Sequence, residues 1–149
     1  MTQEQKDLLL KDLCARLPYS VKAYVKNWSK FNRQWIEDVY TVESIDPSLN
    51  KIFVYSERGS VELIVGYDDY EIQPYLFPLS SITDEQRKEY ESLCIKETSE
   101  CDDLYGIIFT KDYYYDTVES IDYLYKNHID VRCLIPMGLA IDATGLNIY

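Results

Sequence analysis

One histidine, five glycines and five prolines in 149 residues rule out several ways of building a protein. So few glycines and prolines exclude long disordered linkers. No apolar run approaches the roughly 18 residues that a membrane-spanning helix needs. The opening Met-Thr-Gln-Glu-Gln-Lys-Asp is too polar and acidic for a secretory signal. A cytoplasmic chain with no membrane contact is therefore expected. Cys14, Cys94, Cys101 and Cys133 lack the paired CxxC spacing of zinc sites, and one histidine cannot complete a ligand set. No metal and no cofactor are expected, and in an unsecreted chain the cysteines read as reduced, mostly packed thiols. Neither a glycine-rich phosphate loop nor a serine-centred elbow is present, so nucleotide-enzyme and hydrolase signals are missing.

What the chain does have is tyrosine, 15 of them, and acid, with 26 Asp/Glu against 15 Lys/Arg for a net charge of −11. The charge is unevenly placed. Residues 1–35 hold seven bases against three acids, or +4, and the remainder holds eight against 23, or −15. The plain reading is a soluble acidic surface; the sharper one is a basic end on an acidic body, able to meet two kinds of partner. A chain of this length buries roughly 68–70% of its unfolded surface, enough for one domain without staples.

The stretch Tyr70–Thr83 divides the pattern: β-rich before Pro74, mostly helical after Pro78. Thr2-Gln3-Glu4-Gln5 is a capping box, and Leu9, Leu10, Leu13, Cys14 and Leu17 share a helical face, predicting a helix over 3–16 that Pro18 ends. Val21, Ala23 and Val25 alternate with Lys22, Tyr24 and Lys26 as a half-buried strand. Residues 27–33 read as a polar connection. A second strand over 35–44 has imperfect spacing that predicts a bulge. Asp46–Asn50 is turn chemistry, 51–56 and 61–65 form a hairpin, and 70–72 pairs once more. Four or five short strands suggest an antiparallel meander, or a partly open SH3-like barrel, carrying three packed helices: an α+β fold. Thr83-Asp84-Glu85-Gln86 opens a second helix to about Ile95, burying Tyr90, Leu93 and Cys94. Residues 96–103 read as an acidic loop and 104–110 as an added edge strand. Asp116 is expected to cap a third helix with a stripe of Val118, Ile121, Leu124, Tyr125 and His128. The apolar cluster at 131–141 reads as a short helix or turn.

Three strings carry a resemblance: TQEQKDLLLKDLCARLPYSVK, PYLFPLSSIT and VRCLIPMGLAID. The patches around them, Met1–Lys22, Ile72–Glu89 and roughly Ile121–Ala143, cover about 60 of 149 residues. They resemble small proteins encoded in prophages and mobile elements of gut bacteria. The resemblance implies one shared fold and carries no activity, cofactor or catalytic residue. Residues 27–70 are least like those proteins, which would make the β region the place of partner choice.

Each candidate for chemistry has a bland competitor. His128 lies near Cys133 in sequence, but no glycine-framed elbow surrounds Cys133; a histidine whose positive form suits a helix C-terminus is the simpler reading. The acid pairs Asp68-Asp69 and Asp102-Asp103 read as solvated loops. Tyr113, Tyr114 and Tyr115 cannot all face inward, so they are either edge packing or an interface for a protein partner or self-association. Lys22, Tyr24, Lys26 and Trp28 share the outer face of the first strand, with Arg33 beyond it. That face is a solvated lysine-rich edge, a surface for a protein, or a grip on nucleic acid. The acidic body disfavours nucleic acid. The expected function is thus a non-enzymatic adaptor or inhibitor acting by protein contact, suited to a basic partner, with a weak nucleic-acid-binding regulator as the runner-up.

Overall fold

The computed structural model describes residues 1–29, 33–57, 59–64, 70–102 and 108–149, and the side chains among them except those of 100–102 and 108–110. Lys30, Phe31, Tyr105, the pair Asp68-Asp69, and Asp103 with the Asp102 carboxylate fall outside that set.

Helix α1 (Gln3–Arg16) begins as its capping box dictates: the Thr2 hydroxyl accepts the Gln5 N–H at 3.2 Å, and the Gln5 side chain accepts the Thr2 N–H at 2.9 Å. Leu9, Leu10 and Leu13 are buried, while Cys14 and Leu17 are only half-buried. The residues that complete the buried face are Asp12 and Arg16, which hydrophobic patterning passes over. A single 3₁₀ turn, Leu17–Tyr19, carries Pro18 and delivers the chain to the sheet.

The sheet consists of β1 (Lys22–Ser29), β2 (Gln34–Asp46), β3 (Lys51–Ser56), β4 (Gly59–Ile64), β5 (Tyr70–Leu76) and a two-residue β8 (Ile141–Asp142). Its order is β4-β3-β2-β1-β5-β8, antiparallel except for the β5–β8 pair. The first four strands form the expected meander, and β2 carries the expected bulge between Val42 and Ser44. The sheet is open, with β4 and β8 as its edges, so the SH3-like barrel does not close. The connection expected at 27–33 is shorter. Asn27, Trp28 and Ser29 continue β1 and pair with Ile36, Trp35 and Gln34, because two β-favouring tryptophans face each other across the ladder.

β5 runs straight through Pro74, which pairs with Ala23. The Leu76 carbonyl accepts from Ala143, on the β8 side. Residue 74, two positions earlier, faces the same way, so its missing N–H costs the β1 ladder nothing.

The core lies on the inner face. Val21, Ala23, Val25, Val42, Ile52, Val54, Leu63 and Ile72 meet Leu9, Leu10 and Leu13 of α1, and Leu134 and Leu139 close it. The closing segment is a series of turns rather than a helix. The Asp130 carboxylate organises it by accepting the N–H groups of Leu134 and Ile135, both at 2.8 Å.

Helix α2 (Asp84–Leu93) starts at Thr83 as expected, but Tyr90, Leu93 and Cys94 are half-buried, not core. It leans on α3 (Val118–Lys126): Tyr90 donates to Asp116, Tyr123 donates to Glu89 at 3.1 Å, and the Thr117 hydroxyl donates to the Leu93 carbonyl at 2.8 Å. Thr117, not Asp116, caps α3, and Val118 is 80% exposed and outside the stripe. Of the supposed loop at 96–103, residues 96–102 are a strand, and 103 lies outside the described residues. β6 (Ile95–Asp102) pairs antiparallel with β7 (Ile108–Tyr115) as a two-stranded ribbon separate from the main sheet, so β7 is no added edge. Thr98 and Lys96 both bind the Asp112 carboxylate across it, at 2.7 and 2.8 Å.

Candidate functional site

Alternation sends Tyr24, Lys26 and Trp28 to the outer face of β1, and the register sets Val39, Glu37 and Trp35 of β2 directly opposite them. Trp28 and Trp35 meet edge-to-face, ring centroids 5.5 Å apart, and stay 36% and 44% exposed. Lys26 forms an ion pair with Glu37 at 3.0 Å while its ammonium sits 5.5 Å from the centre of the Trp35 ring. The Glu37 hydrogen bond raises the Lys26 pKa, and the bonds from Lys26 and Tyr24 lower that of Glu37. Tyr55, opposite Thr41, extends the same face and is more than half exposed. A shallow hollow of about 480 Å³ lies beside it, bordered by Lys22, Thr41 and Glu57.

Of the candidate residues, Tyr24, Lys26 and Trp28 do share the outer side of β1, and Arg33 stands exposed at the turn that follows, with φ +53°. Lys22 is diverted. Its ammonium donates to the Ile148 carbonyl at 2.6 Å and lies 6.0 Å from the centre of the Tyr149 ring. Trp35 and Glu37 complete the face, and the apolar pattern of the second strand alone does not single them out. The cross-strand register that brings them to Trp28 is not written in either strand by itself.

Tyr113, Tyr114 and Tyr115 are all exposed on β7. Lysines partly cover two of them: Lys111 lies 5.2 Å from the Tyr113 ring centre and Lys96 5.9 Å from that of Tyr114.

His128 and Cys133 form no catalytic pair among the described contacts. The His128 ring stacks on Tyr149 at 3.9 Å between centroids, 13° from parallel, and Cys133 sits exposed on a turn in the left-handed region. The expectation of a charged histidine at a helix end fails. Burial, helped by the nearby Arg16 charge, pulls the His128 pKa down to about 4. Behind it, Arg16 and Asp12 pair at 2.6 Å with both side chains fully buried; Arg16 also donates to the Ile129 carbonyl at 2.7 Å and lies over the Tyr125 ring. The Tyr149 hydroxyl accepts the Lys22 N–H at 3.2 Å and donates to the Tyr75 carbonyl at 2.8 Å. It thus bridges β1 and β5 one step past their last ladder pair, and burial raises its pKa to about 12.

Among the described residues no group of three potential metal ligands converges, Cys14, Cys94 and Cys133 are free, and no helix is long and apolar enough to cross a membrane. No protein-family model, no curated protein and no solved structure matches the chain.

Proposed function

We propose that this chain is a non-enzymatic interaction protein, an adaptor or inhibitor, whose outer sheet face docks on another protein. The observation that carries the reading is the exposed Trp28–Trp35 pair. Large, stiff aromatic surfaces held in place by a ladder supply contact area at low entropic cost, the property of interface anchors. The ion-paired Lys26 and Glu37 form a polar border to that centre. The net charge of −11 favours a basic partner and speeds its approach.

Nucleic acid is the runner-up, because exposed indoles can also stack bases. Two of the cations it would need are already engaged, Lys26 by Glu37 and Lys22 by the Ile148 carbonyl. Fluorescence-anisotropy titration of labelled single- and double-stranded DNA at physiological salt separates the two. The expected result is no detectable binding. Micromolar or tighter binding that falls steeply with salt and is abolished by Lys26→Glu would replace the proposal with the runner-up.

A further inference from the structure

A cleft of about 510 Å³ opens on the far side of Tyr149, between the start of α2, the end of α3 and the turn at Thr144. That volume suits a small organic molecule. In a chain with 26 acids, none of the ten residues lining this cleft is acidic, and one of them, Lys126, is a cation. The Gln86 carbonyl oxygen is committed to the Thr83 N–H at 3.0 Å, so the group it has left to offer is its amide NH₂, a donor. Phe77 and the stacked His128–Tyr149 pair supply flat apolar walls, with the Phe77 and Tyr149 rings 6.0 Å apart. The walls are fixed from behind: the Tyr149 hydroxyl is tied to both β1 and β5, and the Phe77 N–H donates to the His128 carbonyl at 2.9 Å.

We infer that this cleft binds a small planar organic anion, an aromatic carboxylate whose ring lies against Phe77 and Tyr149 and whose charge is met by Lys126 and the Gln86 amide. Lys126 and the Gln86 amide are donors that suit an acceptor-rich group, and a charged carboxylate gains about twice what a neutral acceptor does from each such bond. The site uses none of Lys26, Trp28 or Trp35, so it is separate from the proposed protein-docking face.

The test is calorimetric titration of the intact chain with 2-naphthoate and, in parallel, with the uncharged 2-naphthamide. The expected result is saturable binding of naphthoate, about tenfold tighter than the amide. Lys126 is exposed on the last turn of α3, so Lys126→Met should leave the fold intact while erasing that preference. Trp28→Ala should leave both affinities unchanged. Saturation by neither compound, equal affinity for the two, or a preference that survives Lys126→Met would overturn the inference.

Discussion

Asp12 and Arg16 lie one helical turn apart and both are wholly buried; the Asp12 carboxylate also meets the partly exposed Arg132 at 3.5 Å, whereas Arg16 has Asp12 as its counter-charge. Removing Asp12 leaves the interior Arg16 charge uncompensated. Asp12→Ala is therefore expected to destabilise the fold by about 3–5 kcal/mol in urea unfolding, whereas the paired change Asp12→Leu with Arg16→Met should recover most of that loss. Equal loss in the two variants would contradict the account. His128 makes a second prediction at this scale. Its folded pKa of about 4 lies below the ordinary 6.5, so the unfolded chain binds the extra proton first. The stability it contributes is complete above pH 6.5 and is lost as pH falls toward 4, about 3 kcal/mol in all. Unfolding free energy measured across that window should fall with acid in the parent chain and much less in His128→Gln. Exposed carboxylates with lowered pKa values, such as Glu37 and Asp112, lose their contributions at lower pH and do not mask the effect. None of this was visible in the hydrophobic pattern. A period of apolar residues says where a helix faces, not that an acid and an arginine share the buried side, nor that burial, helped by that arginine, will keep a histidine neutral.

Elements with a strong local signal were read closely. Both capping boxes at Thr2 and Thr83, the bulge in β2 and the span of β3 follow from residues adjacent in sequence. α2 shows how much can rest on such a signal, since it has no fully buried residue. Its capping hydroxyl, accepting the Gln86 N–H at 3.2 Å, should contribute about 1 kcal/mol. Thr83→Ala is expected to lower the thermal unfolding midpoint; an unchanged melting curve would count against that role. The ribbon β6–β7 was the element least legible in advance. Strands exposed on both faces carry no alternation of apolar and polar residues, so β6 looked like a loop, and what defines it is its pairing with β7. The end of β1 failed for a related reason: Trp28 extends the strand only because Trp35 waits across the ladder.

At the scale of the molecule, helix α1 covers the inner face of an open sheet while the outer face keeps its tryptophans exposed. The uneven charge noted in the sequence follows the same division in part. Tyr24, Lys26 and Trp28 sit within the basic first 35 residues, on a face whose cations are held by Glu37 and by the Ile148 carbonyl. The most direct test of the account is a side-by-side affinity capture at physiological salt using the parent chain, the Trp28→Ser/Trp35→Ser double variant and Tyr114→Ser. Circular dichroism would first establish that all three are folded. The account predicts that proteins retained by the parent and by Tyr114→Ser are lost from the tryptophan variant, whose hydrophobic core is untouched. The same proteins retained equally by the parent and the tryptophan variant would contradict it.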